Sequence, residues 1–130
     1  MYVFAVHNLE ESRLTYEGVL GLRPAVEYVS EEESIRVIRY YVGSVAVELL
    51  EPLNHDCEVA RFLKKRGEGF FLIFYRVDDV QESLEELRGI GKQTIDDKPR
   101  RLMGNRYAFL EPPDRMHGVL TEIVDGSFTS

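Results

Sequence analysis

Histidine, cysteine and long apolar runs are all scarce in this chain. Its single cysteine, Cys57, cannot close an internal disulfide, and with three histidines no Cys/His cluster has zinc spacing. No apolar run approaches the roughly 20 residues of a membrane span. The first residues show neither the basic n-region nor the apolar h-region of a signal peptide, so the cytoplasm is the expected compartment. Positive charge is also short. Sixteen Lys and Arg face 23 Asp and Glu, a net charge of −7, which argues against the basic face that nucleic-acid phosphates require. What remains is 130 residues, 44% apolar and 30% charged, an ordinary soluble composition long enough for one domain with a proper core.

Against that background two acids stand out. Val45–Pro52 reads Val-Ala-Val-Glu-Leu-Leu-Glu-Pro. Alternate residues of a strand face opposite sides of a sheet, so Glu48 points away from Val47 and Leu49. Gly118–Asp125 repeats the pattern with Glu122. An unpaired buried carboxylate is costly, and two in matching strands mark a candidate site.

In chain order, Met1–Val6 reads as a strand. Asn8 then caps a helix, with Glu11 as its capping-box partner and Leu9, Tyr16, Val19 and Leu20 as its stripe. Gly21 and Pro24 end it. Ala25–Val29, Ile35–Val42 and Val45–Leu50 read as strands, the last two joined by a Gly43-Ser44 hairpin turn. Asp56 is the expected cap of a short linker helix, about 56–66, that closes on Lys64-Lys65-Arg66. Phe70–Val77 is then a strand, and Asp78 with Gln81 a second capping box. Val80, Leu84 and Leu87 make the next stripe, and Gly91 is its stop. Gln93–Asp96, Arg106–Leu110 and Gly118–Val124 are the remaining strand candidates.

The second half repeats the first. Val6-His7-Asn8-Leu9-Glu10-Glu11-Ser12 matches Val77-Asp78-Asp79-Val80-Gln81-Glu82-Ser83, and Glu48 matches Glu122 after about three inserted residues. The order βαβββ occurs twice, in units of about 1–53 and 69–125. The expected fold is therefore α+β: two tandem βαβββ units forming a curved, half-barrel mixed sheet around a central cleft, within a single domain. A pseudo-twofold between the units would gather Met1, Glu48, Leu72 and Glu122 as four corners of one site.

In these pieces the chain resembles the vicinal oxygen chelate superfamily of glyoxalases and bleomycin-resistance proteins, and within it the methylmalonyl-CoA epimerases. The resemblance rests on Asn8-Leu9-Glu10-Glu11, Val19-Leu20-Gly21-Leu22, Glu48-Leu49-Leu50-Glu51-Pro52-Leu53, Phe62-Leu63-Lys64-Lys65 running into Gly67-Glu68-Gly69, Val77-Asp78-Asp79, and Gly118-Val119-Leu120 before Glu122. It implies an isomerase or lyase if the chain is an enzyme, a homodimer, and a small-molecule ligand of the acyl-CoA or carbonyl type. Neither nucleic acid nor membrane is an expected partner.

The resemblance also implies one divalent metal (Co, Mn, Ni, Zn or Mg), held by two histidines and two acids or amides. Both acid positions survive, as Glu48 and Glu122. Both histidine positions are replaced, by Met1 and by Leu72 within Gly69-Phe70-Phe71-Leu72-Ile73-Phe74, and a further family histidine falls near Met103. No resident cofactor is therefore expected, and Glu48 and Glu122 would be the ligands of any ion that did bind.

Two readings of the acids stay open. They share a proton as a metal-free acid/base couple, or they bond to side chains such as Tyr2, Tyr40, Tyr75, Arg36 or Arg39. Glu32, in the Glu31-Glu32-Glu33 turn, is placed by the resemblance where epimerases carry a second catalytic glutamate; a solvated turn is the alternative. Phe71 joins Met1, Leu72 and Met103 as candidate ligand-cleft residues. Lys64, Lys65, Arg66, Lys98, Arg100, Arg101 and Arg106 would meet coenzyme A phosphates or balance the acidic surface.

Overall fold

The computed structural model describes residues 1–102 and 104–126. It divides into two compact units, Met1–Phe71 and Leu72–Ser130. In the first, β1 (Tyr2–Ala5) runs into α1 (Leu9–Arg13), followed by β2 (Pro24–Ser30), β3 (Ile35–Val42) and β4 (Val45–Pro52). Then come α2 (Glu58–Arg66) and the start of β5 (Gly69–Arg76). The second unit continues β5 into α3 (Val80–Gly89), β6 (Arg100–Leu102), β7 (Asn105–Phe109) and β8 (Leu120–Val124). The fold is α+β, with the order βαβββ present twice.

Each unit is a mixed four-stranded sheet built to the same plan. The strand order in the first is β2-β3-β4-β1, and in the second β6-β7-β8-β5. The first and last strands of each unit pair in parallel, and the other pairs are antiparallel. Gly43, at φ +63°, turns the β3–β4 hairpin, a backbone conformation at which glycine carries no Cβ penalty.

Helices take one face of each sheet. Val6, Leu9, Ile38, Tyr40 and Leu49 form the first core cluster, with Phe4, Tyr16 and Leu22 packed against it. Val80, Leu84, Ala108 and Ile123 form its counterpart in the second unit. Leu49 and Ile123 are the residues directly after Glu48 and Glu122. By strand alternation both acids therefore lie on the opposite face of their sheets.

The helix starts are fastened by a device that recurs in both units. The Leu9 amide donates to Glu51 Oε2 at 2.8 Å, and the Val80 amide to Asp125 Oδ2 at 2.8 Å. Each carboxylate stands three residues beyond its unit's buried acid, and each is backed by an arginine: Arg36 on Glu51 at 3.3 Å, Arg106 on Asp125 at 2.9 Å. A carboxylate at a helix N-terminus satisfies an amide that has no intrahelical partner and meets the positive end of the dipole.

Several elements depart from expectation. The Asn8 side chain does cap α1 by accepting from the Glu11 amide. After Arg13, however, the chain widens into a π-helix over Leu14–Val19. The wider turn shifts the phase of the last helical residues, leaving Val19 79% and Leu20 59% exposed rather than in the stripe. The cap of α2 is Cys57, not Asp56. Asn54 Oδ1 accepts from both the Asp56 and Cys57 amides, a local turn that starts the helix one residue later.

The cap of α3 is Asp79, not Asp78, and it accepts from the Glu82 amide. Asp79 is the repeat-mate of Asn8, and the second unit copies the first. The expected strand at Gln93–Asp96 is absent. The Phe109 amide, which a ladder would pair with a carbonyl, donates to Asp96 Oδ2 at 2.9 Å instead, so β6 forms later, at Arg100–Leu102.

Candidate functional site

Glu48 is 2% exposed, and Glu122 4%. The parallel register sets Val3 abreast of Glu48 in the first unit and Phe74 abreast of Glu122 in the second. Val3 and Phe74 are repeat-mates, 71 residues apart as are Val6 and Val77. Leu72 lies two residues before Phe74 on β5 and so shares the face of Glu122, and Met1 directly precedes β1. Leu72 is buried. The duplication thus carries through to the pairing of the strands that bear the acids.

On the other flank the two acids part company. Across β3–β4, Arg39 faces Glu48 in register. Its Nε donates to Glu48 Oε2 at 2.8 Å, and Nη2 lies 2.7 Å from the same oxygen. Both side chains are buried, at 2% and 3% exposure. Across β7–β8 the residue abreast of Glu122 is Phe109. Glu122 therefore has phenyl rings on both neighbouring strands, Phe74 and Phe109. Both belong to an apolar cluster built on Tyr107 and Val124.

Burial pushes the Glu48 carboxyl above its usual range, and the nearby Arg39 guanidinium pulls it back without cancelling the effect. The α-amino group of Met1 is pushed down by burial, against the charge of Glu48, which acts to raise it. That opposition ties the Met1 position electrostatically to the first acid. In the second unit the Arg100 guanidinium lies 5.1 Å from the centre of the Phe109 ring and 2.9 Å from Asp96.

Among the remaining candidates, Phe71 sets its ring edge-on against Phe62 of α2, with centroids 5.1 Å apart. Glu32 is exposed in the β2–β3 turn, which the Ser30 hydroxyl holds by accepting from the Glu33 amide at 3.3 Å. Met103 lies outside the described residues. Of the basic residues, Arg106 is engaged by Asp125 and Asp79, whereas Lys98 and Arg101 are exposed.

Neither unit's side chains fit a resident transition ion. Where the family resemblance implies an imidazole, the first unit holds the Met1 thioether and the second the Leu72 isobutyl group, and ions of that kind favour imidazole among their ligands. Oε2 of the Glu48 carboxylate is held by Arg39. Among the described residues no three His, Cys, Asp or Glu side chains gather as an ion would need. His7, His55 and His117 are all exposed.

Arg39 is one of the five side chains the sequence offered as partners for the acids, and it is the one that takes Glu48; the signal that singles it out was present. A two-residue hairpin loop fixes register. Counting outward from Val42 opposite Val45 brings Glu48 against Arg39. The carboxylates on the helix starts were also signalled, because Glu51 and Asp125 stand at equal spacing after the two buried acids.

Comparison with known proteins agrees with this architecture. Residues 2–109 match the family model of the Glyoxalase/Bleomycin resistance protein/Dioxygenase superfamily. The chain is 36% identical to the uncharacterized Bacillus subtilis protein YqjC, over 93% of this chain and 86% of that one. It is 30% identical to bovine mitochondrial methylmalonyl-CoA epimerase, over 92% of this chain and 69% of the relative. Among solved structures, a Streptomyces coelicolor methylmalonyl-CoA epimerase variant in complex with 2-nitronate-propionyl-CoA superposes with a TM-score of 0.87 at 32% identity. That match covers 97% of this chain and 92% of the other. By fold, by duplicated register and by sequence, the chain belongs to the Glyoxalase/Bleomycin resistance protein/Dioxygenase superfamily.

Proposed function

We propose that this protein binds a small acyl thioester or related carbonyl metabolite at the helix-free sheet face of its first unit, which carries Glu48 and has its repeat-mate in the Glu122 face of the second, and that it does so without a resident metal. The observation that carries the reading is the pair of repeat-matched buried acids, one neutralised by Arg39, with thioether and isobutyl groups where imidazoles would be needed. Likeness to methylmalonyl-CoA epimerases, one of them solved with an acyl-CoA analogue, supports the ligand class. Native mass spectrometry and thermal shift against a panel of coenzyme A thioesters and small carbonyl compounds, in EDTA, are expected to show a stabilising ligand. A panel without any response rejects the reading.

A second reading is an epimerase that moves the proton α to the thioester carbonyl with carboxylates alone. The burial of Glu122, abreast of Phe74 and Phe109 on the neighbouring strands, favours it, since burial excludes competing water from a proton transfer. Deuterium uptake at C2 of methylmalonyl-CoA in heavy water, with EDTA present, is the expected result. Unchanged C2 after prolonged incubation at high protein concentration removes it.

A further inference from the structure

The internal repeat supplies a control for Arg39. Glu48 and Glu122 are equivalent by register, and so are Val3 and Phe74. The partner across the antiparallel edge is Arg39 in one unit and Phe109 in the other. The βαβββ unit therefore forms with an aromatic ring at this place, and the fold has no need of an arginine there. Burying a guanidinium and a carboxylate together is weak evidence for stability, because desolvation offsets most of their attraction. The pair instead settles what the first acid is able to bind. With both Nε and Nη2 on Oε2, at 2.8 and 2.7 Å, a cation that approached Glu48 would have to displace a fixed, buried one.

We propose that Arg39 is a specificity-determining residue: its guanidinium holds the Glu48 carboxylate against divalent cations, so that the first unit offers its ligand a preformed ion pair in place of a chelating corner. The ligand that suits such a surface is recognised by shape and hydrogen bonding, as a thioester or ketone oxygen is. A bidentate ligand that requires a bound metal does not suit it. The proposal rests on the reading above, that Glu48 fronts the ligand face, and its test is independent of any ligand.

The probe is Mn2+ alone, titrated into the full chain and tracked through paramagnetic broadening of the Arg39 Nε–Hε resonance and the Glu48 backbone amide. In the natural protein both signals are expected to persist at a tenfold molar excess of Mn2+. In Arg39→His, which frees the carboxylate and sets an imidazole beside it, the Glu48 amide is expected to broaden at a Mn2+ concentration at least tenfold lower. Broadening of the natural protein at one equivalent overturns the proposal, and so does a folded Arg39→His protein that responds no more than the natural one. The measurement on the natural protein decides the matter by itself if the variant does not fold. An intact, Mn2+-resistant pair together with a silent ligand panel would uphold the exclusion of divalent cations by Arg39 while rejecting the proposed function and, with it, the ligand-recognition half of this inference.

Discussion

Removing either member of the Arg39–Glu48 pair should be far more damaging than removing both. At 2.7 Å the gross attraction is about 6 kcal/mol for an effective dielectric constant of about 20. Both side chains are at most 3% exposed, and stripping water from each ion costs several kcal/mol, so the pair as a whole comes out near break-even. Glu48→Leu leaves a buried guanidinium without its carboxylate, and Arg39→Met leaves the reverse. Each is expected to lose about 3–5 kcal/mol. The double variant removes both charges and fills the space with apolar atoms, so it should lie within about 2 kcal/mol of the natural protein. Urea denaturation of the four proteins at pH 7 measures the cycle. Losses from the single variants that simply add in the double variant, or a Glu48→Leu loss under about 1 kcal/mol, would refute the claim that this is a desolvated, mutually dependent pair.

The same geometry sets other expectations. Asp79→Ala should cost about 1 kcal/mol in the same denaturation assay while Asp78→Ala is nearly silent, because only Asp79 accepts from the Glu82 amide. Asp125→Ala removes the acceptor of the Val80 amide and the partner of Arg106, and a loss of about 2 kcal/mol is expected from bonds to a charged group. The Arg13 and Tyr40 side chains hold the Glu17 carboxyl below its ordinary value of 4.5. Its contribution to stability is therefore complete above that value and lost as pH falls through the lower, folded one. Glu17→Gln should accordingly flatten the decline of the urea midpoint on acidification, and an unchanged acid limb would count against the Arg13–Glu17–Tyr40 arrangement.

Much of the fold was legible because it is written twice. The match of Val6–Ser12 to Val77–Ser83 foretold two βαβββ units, and strand parity alone set Glu48 and Glu122 away from the helices. Where expectation failed, a local competitor had won. Asn54 captured the amides that Asp56 was expected to precede, and Asp96 captured the Phe109 amide that a strand at Gln93–Asp96 would have paired. The π-helix at Leu14–Val19 lies beyond a stripe argument, since periodicity assumes a constant number of residues per turn. Arg39 opposite Glu48 could have been counted from the Gly43-Ser44 turn. Phe109 opposite Glu122 could not, because a longer connection joins β7 to β8 and leaves the register unfixed.

The central claim is that the ligand face works with a guanidinium in place of a metal. Calorimetric titration of methylmalonyl-CoA into the full chain, once in EDTA and once with Mn2+ in excess, tests it most directly. The account predicts binding in EDTA, with an affinity that Mn2+ changes by less than twofold. Binding that occurs only in the presence of the ion would contradict it.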